Sequence, residues 1–429
     1  MNSKIEVLLD HPVIEVDLHQ AVFALTESLN LVGIDEHQHG ERVAYMAIAC
    51  ARHLGWSAQR LDDLLHAALL HDCGVSSSKV HKQLIAKMDW EGAELHCVLG
   101  EYYLKSFPPL SHLAPVVRHH HTHWRQLQHM GLPAEDAEAS NLIYLVDRVD
   151  ALRAQLLTEG LSLQQMIQQV HQRIKDAAEQ RFAPQLLDAL MQISDNEAFW
   201  LTLEPLNLAD FITSLEGNRP HTLTSYEDVR KLARIFAHIV DAKSSFTFDH
   251  SMGVARVANH LASLLELPPR RIALIELAGL LHDLGKLGVP DDILEKSTEL
   301  SAEEAAIMHR HSYETFRILS RIKGFESIAE WAGNHHETLL GDGYPFQHDG
   351  SELSIESRII AVADIFQALA QDRPYRKALT PEQISSHLQE LADAGKIDPV
   401  LVKLVADNLD TTWVAAIRGE TAWIPTLHK

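Results

Sequence analysis

The sequence predicts an all-α protein built from two tandem helical domains. Three observations carry that expectation. Apolar residues recur with a helical period, no stretch alternates as a half-buried strand does, and one helical pattern occurs twice, 211 residues apart.

The second copy shows the period best. From His250, HSMGVARVANHLASLLELPP places Val254, Val257, Ala258, Leu261, Leu264 and Leu265 on one helical face, and Pro268 and Pro269 stop it. RRIALIELAGLLHDLGKLG follows, again helical, ending in His282-Asp283 and a Gly285 suited to a helix C-terminus. In the first copy, His39 opens HGERVAYMAIACARHLGWS, with Val43, Met46, Ala47, Cys50 and Leu54 on the matching face. QRLDDLLHAALLHDCG then ends in His71-Asp72. The interval from His39 to His71 is 32 residues, as is that from His250 to His282; His96 to His120 is 24, as is His311 to His335. Asp147 in NLIYLVDRVDAL answers Asp364 in RIIAVADIFQAL, and FAPQLLDAL around Pro184 resembles IDPVLVKLV around Pro399. The copies join within 200–225, where NRPHTLTS reads as a connector, which gives domains 1–215 and 222–429.

Composition narrows the function. A chain of 429 residues, 46% hydrophobic, is long enough for two packed domains. Cys50, Cys73 and Cys97 form no CxxC pair, which suits a reduced cytoplasm. The charged N-terminus has no signal-peptide stretch, and no run approaches the ~18 apolar residues a membrane span needs. A net charge of −22 argues against polymeric nucleic acid, whose phosphates need a basic face. A small anionic substrate remains compatible if cations and a few arginines make one pocket positive.

The chemistry lies in the 28 histidines and their spacing. His250, His282, Asp283, His311, His335, His336 and Asp364 come from at least five separate stretches, most of them helical. Imidazole nitrogen and carboxylate oxygen suit iron, manganese, zinc or nickel. Five histidines and two aspartates exceed one ion's needs, so two divalent ions sharing Asp283 is the economical reading.

The same residues resemble the HD-GYP family, a branch of the HD phosphohydrolase superfamily. The match runs through HS at 250–251, LLHDLGKLGVPDDIL at 280–294, the KS…LS.EE…M..H series to His311, NHHETLLGDGYPF at 334–346 and RIIAVADIFQALAQDRPYRKAL at 358–379. The resemblance implies an all-helical enzyme holding two or three metals, commonly iron or manganese, that hydrolyses cyclic di-GMP. A subset of the family acts on 3′,3′-cyclic GMP-AMP, and the tandem order of this chain resembles that subset. All seven donors fall on the family's ligand positions. The implied reaction is in-line attack on a phosphodiester by a metal-activated water, giving the linear 5′-phosphorylated dinucleotide. Lys286, one turn after His282, is expected to reach the scissile phosphate. Arg373 and Arg376 match positions that hold phosphates or bases, and Tyr344 is expected to line the pocket.

Two departures are informative. Phe246 stands where three-metal members carry a glutamate, so two ions are expected. Leu340 stands where the family usually has Asp before GYP, which puts the loop around Gly341 and Gly343 in question. The first copy keeps His39, His71, Asp72, His96, His120, His121 and Asp147, with the choice among His119, His120, His121 and His123 open by one position. Its substrate apparatus is gone: Val75 replaces the lysine, GYP is absent, and no arginine pair follows Asp147. This copy is therefore expected not to cleave cyclic dinucleotides, leaving regulation, homodimerisation or another phosphoester as its role. The expected partner is a cyclic dinucleotide, with no polymeric nucleic acid and no membrane. A nucleotidase of the wider superfamily and a non-catalytic receptor are the competing readings.

Overall fold

A computed structural model of the chain describes residues 16–32, 38–86, 92–216, 223–243, 249–372 and 376–418. Contacts divide the chain into two compact units, Leu18–Thr222 and Leu223–Lys429 with Met1–Asp17. Among the described residues the architecture is helical, as the periodicity predicts. The strands are β1 (Val16–Asp17) and β2 (Leu223–Thr224), an antiparallel pair within the second unit. No described helix is long and apolar enough to cross a membrane.

The first unit contains α1 (Leu18–Asn30), α2 (His39–His53), α3 (Ala58–Leu70), α4 (Ser78–Ala86), α5 (Ala93–Lys105) and α6 (Ala114–Arg118). It continues with α7 (Trp124–Leu127), α8 (Ala134–Leu157), α9 (Leu163–Ala177), α10 (Pro184–Ser194), α11 (Glu197–Leu201) and α12 (Pro205–Glu216). The second unit contains α13 (Tyr226–Asp241), α14 (His250–Leu264), α15 (Pro269–Leu281), α16 (Asp291–Leu294) and α17 (Ala302–Leu319). After it come α18 (Glu326–Gly333), α19 (Ile355–Ala370), α20 (Pro381–Asp393), α21 (Pro399–Asp407) and α22 (Leu409–Ile417).

The helix ends are written locally. Pro269, Pro381 and Pro399 stand at first-turn positions, where a missing N–H costs nothing. Ser162, Ser301 and Thr380 close capping boxes with Gln165, Glu304 and Gln383. Each copy also begins its first site helix from the same backbone feature. Gln38 (φ 67°) and Asp249 (φ 69°) are left-handed residues directly before His39 and His250.

Burial follows the predicted faces. Val254, Val257, Ala258 and Leu261 on α14, and Val43, Met46, Ala47 and Cys50 on α2, are fully buried. Leu264, Leu265 and Leu54, at the ends of those faces, are half-buried. A Val or Leu side chain buried in this way contributes about 1.5–3 kcal/mol, so α2 and α14 are central to their cores. The helix α14 packs on α15 and α19, as α2 packs on α3 and α8.

One close approach recurs in both units. After each His-Asp pair the chain passes directly under the helix carrying the next histidine. A Cβ on Gly285 would lie 2.1 Å from the His311 carbonyl oxygen, and one on Gly74 would lie 2.1 Å from that of His96. No side chain fits there, so glycine sets how near α17 and α5 come to the aspartates. Gly285→Ala should therefore destabilise the protein by roughly 1–3 kcal/mol, as overpacking does. Chemical denaturation measures this, and an unchanged midpoint would show that α17 is free to move away.

Candidate functional site

The fold gathers each set of seven residues around one central aspartate. In the second unit, His250 opens α14, His282-Asp283 follows α15, His311 lies on α17, His335-His336 follows α18, and Asp364 lies on α19. Asp283 sits in the middle, 2% exposed. Its Oδ2 faces His250 Nε2 (3.7 Å) and His282 Nε2 (3.3 Å). Asp364 Oδ1 stands on the same side, 3.1 Å from His250 Nε2 and 3.8 Å from His282 Nε2. The other oxygen, Oδ1, faces His311 Nε2 (3.6 Å) and His335 Nε2 (3.8 Å), with His336 completing that cluster. The donors thus fall into two sets, one on each oxygen of a single carboxylate.

The rings are aimed by the backbone. Nδ1 of His282, His311 and His335 donates to the carbonyl three residues earlier, at Gly279, Met308 and Ala332. That bond fixes the proton on Nδ1 and turns the Nε2 lone pair inward, the arrangement a metal-ligating histidine needs. Burial, helped by Lys286, lowers His311 to about 3, and burial lowers His336 to about 4, so both are neutral donors near neutral pH. Burial alone would raise Asp283, but His282 and Lys286 outweigh it and hold the carboxylate well below its usual range.

A divalent ion fits these donors. His282 Nε2 and Asp283 Oδ1 are buried and have no hydrogen-bond partner, as are His71 Nε2 and Asp72 Oδ1 in the first unit. Buried lone pairs without a donor cost about 1–3 kcal/mol each unless a cation takes them.

Above Asp283 opens a cavity of about 510 Å³, lined by Asp283, His311, His336, Asp364, Lys286 and Tyr344 among others. Lys286 Nζ lies 2.6 Å from Asp283 Oδ2, so its ammonium stands at the carboxylate. The Tyr344 ring stacks on His309, with centroids 3.8 Å apart and planes 11° apart. Burial, then Asp364 and Asp283, push its phenol up, so it stays protonated. Arg376 is half-buried and donates to the Ala368 carbonyl at 2.6 Å. Arg373 and Phe246 lie outside the described residues. Leu340, at the family's aspartate position, is exposed and bridges to Asp349.

The first unit repeats the donor geometry. Asp72 Oδ2 faces His71 (3.5 Å) and His39 (3.9 Å), while Oδ1 faces His96 (3.3 Å) and His120 (3.8 Å). Of the four candidate histidines, His120 and His121 join this cluster; His119 caps α6 and His123 stacks on Tyr144. The surroundings differ from the second unit in ways the sequence reading missed. Arg148 places its guanidinium on Asp147, at 2.7 Å, and donates to the Leu84 carbonyl. His39 Nδ1 bonds Asp150 (2.8 Å), which also takes the guanidinium of Arg42. Both were visible as Arg148 and Asp150 beside and one turn after Asp147. The second-unit positions that match Arg42 and Asp150 hold Gly253 and Gln367, packed so closely that a Cβ on Gly253 would meet the Gln367 side chain at 2.1 Å. The first-unit cavity, lined by His39, His71, Asp72, Val75 and His81 among others, is about 20 Å³.

Comparison with known proteins fits this two-unit picture. HD domain models match residues 37–154 and 234–401. The chain is 33% identical over 416 residues to the 3′3′-cGAMP-specific phosphodiesterase 1 of Vibrio cholerae serotype O1, covering 95% of this chain and 96% of that protein. The chain belongs to the HD-domain family. A cyclic di-GMP phosphodiesterase of Pseudomonas aeruginosa is 35% identical over 155 residues, 36% of this chain and 37% of its own. The crystal structure of a cyclic GMP-AMP-specific phosphodiesterase of V. cholerae shares the fold, with a TM-score of 0.63, 24% identity, and coverage of 92% of this chain and 98% of that one.

The histidine pKa values fix how the metal-free protein responds to acid. Below 6.5, His71 (lowered to about 4), His311 and His336, with His121 and His335 also lowered by burial, stay neutral when folded and protonate when unfolded. The unfolded chain then binds more protons, so this stability is present above about 6.5 and is lost as pH falls toward 4. His39, raised to about 10, His120 and His282, also raised, and Asp241, raised to about 8, act in the opposite sense but are fewer. The melting temperature of chelator-treated protein should therefore fall between pH 7.5 and 5. A rise over that range would contradict the assignment of buried neutral imidazoles.

Proposed function

We propose that the second unit hydrolyses a cyclic dinucleotide, 3′,3′-cyclic GMP-AMP or cyclic di-GMP, to its linear 5′-phosphorylated form. The observation that carries this is a carboxylate with separate donor sets on its two oxygens, at the floor of a cavity of about 510 Å³. That size lies within the range of small-molecule sites, which run from roughly 300 to 1,000 Å³. The similarity to a 3′3′-cGAMP-specific phosphodiesterase over nearly the full chain supports the same reading.

His250, His282 and Asp364 with Asp283 Oδ2 would hold one divalent ion, and His311, His335 and His336 with Asp283 Oδ1 a second. Iron or manganese matches this mixed imidazole and carboxylate set. Such ions supply a water acidic enough to ionise near neutral pH and positive charge against the reacting phosphate. The protein groups do the rest. Lys286 has three N–H donors and gives one to Asp283, which leaves two for phosphate oxygens beside it. Tyr344, stacked on His309, lines the cavity and keeps its phenol protonated. Arg373 and Arg376 supply guanidinium groups for phosphate or base from the segment after α19.

The catalytic domain is 222–429 in this reading, and 1–215 does not cleave cyclic dinucleotides. The roughly 20 Å³ first-unit cavity and the Arg148 guanidinium on Asp147 both support that division.

Protein loaded with manganese, or anaerobically with ferrous iron, is given cyclic di-GMP and 3′,3′-cyclic GMP-AMP separately. Chromatography with mass spectrometry should show a linear dinucleotide, lost in the His282→Ala/Asp283→Ala variant, and the relative rates identify the substrate. No cleavage of either under both metals would leave the nucleotidase and receptor readings. Arg148→Ala should leave this cleavage within about twofold of wild type, whereas a loss comparable to the double variant's would place the chemistry in the first unit.

A further inference from the structure

A cyclic dinucleotide carries two phosphodiesters, both ionised at neutral pH. A cavity that draws one of them to Asp283 must meet the other with a second positive group or leave it desolvated and unpaired. Part of the cavity wall works against this, because Glu295 and Glu299 also line it. Among the described lining residues the ammonium groups are those of Lys286 and Lys296. Lys286 stands at the reacting end, on Asp283. Lys296 lines the cavity from the segment between α16 and α17.

Lys296 is held in place from behind. Its Nζ pairs with Glu304 Oε2. The same oxygen accepts from Ser301 N at 2.7 Å, while Ser301 Oγ accepts from Glu304 N at 3.2 Å. This capping box ties Lys296 to the first turn of α17, and the same helix carries His311 seven residues after Glu304. Glu304 takes one N–H of the ammonium and leaves two for other acceptors. The two side chains are 29% and 27% exposed, and a pair that open to water adds little to folding.

We propose that Lys296 binds the second, unreacted phosphate of the cyclic dinucleotide while the first lies at Asp283 and Lys286. This inference rests on the reading of the second unit given above. Lys296 then works as a specificity residue, favouring substrates with two linked phosphodiesters over those with one.

The test uses full-length, metal-loaded protein with Lys296→Met and Lys296→Arg. Two substrates are compared: the preferred cyclic dinucleotide and bis(p-nitrophenyl) phosphate, which has a single phosphodiester. Lys296→Met should raise KM for the cyclic dinucleotide about tenfold with a smaller change in kcat, the size of one charge-assisted contact. The ratio of kcat/KM between the two substrates should fall by a similar factor, and Lys296→Arg should recover most of it. Calorimetry should show the same weakening of cyclic dinucleotide binding. A loss shared equally by both substrates would make Lys296 a structural residue, and a KM within about twofold of wild type would remove it from the site; either overturns the inference alone. Wild-type protein that neither binds nor cleaves the cyclic dinucleotide would overturn the functional reading itself, and this inference with it.

Discussion

A carboxylate buried in the middle of a helical core is the constraint on which the rest of the site depends. Asp283 and Asp72 each lie where several helices converge, and an ionised group taken out of water is costly unless positive or donor groups surround it. In the second unit an ammonium, that of Lys286, meets one oxygen, while backbone carbonyls turn three imidazole lone pairs toward the carboxylate, which leaves the other oxygen for a cation. The required positions come from the ends of α15 and α18, the start of α14, and the middle of α17 and α19. Packing and site are therefore one problem: the apolar faces of α14 and α15 hold the helices, and Gly285 allows the backbone under α17 to come close enough.

The two copies keep this centre and diverge around it. In the first unit, cationic side chains fill the surroundings: Arg148 covers Asp147, and Arg42 with Asp150 braces His39. In the second, Gly253 and Gln367 replace the brace and Ile365 stands where Arg148 would be, lining the large cavity. Cys97, 3.6 Å from His96 Nε2, has Ser312 as its counterpart, 3.3 Å from His311 Nε2. A few substitutions next to an unchanged donor set thus separate a closed centre from an open one.

Much of this was legible in the sequence for a physical reason. A donor that converges with others on one carboxylate cannot move along its helix without losing its aim, so equal spacings between His39 and His71 and between His250 and His282 preserve both the donors and the fold. The apolar faces are equally constrained, and Val254, Val257 and Leu261 are buried where the period places them. The groups that tune the site are less legible. Asp150 and Arg42 meet across 108 residues, and Lys296 gains its place only when α17 folds and Glu304 caps it. Arg148 looks in sequence like an ordinary arginine on a long helix; only the fold puts its guanidinium on Asp147. No spacing rule announces the difference between cavities of about 20 and 510 Å³, because loops and single side chains decide it.

The function proposed above requires that the two oxygens of Asp283 serve two separate ions. Anomalous diffraction at the manganese edge, from crystals grown with manganese, tests it most directly. Two peaks are expected in the second unit, one beside Oδ2 with His250, His282 and Asp364, the other beside Oδ1 with His311, His335 and His336. A single peak there, or peaks that leave Asp283 outside their coordination, would contradict it.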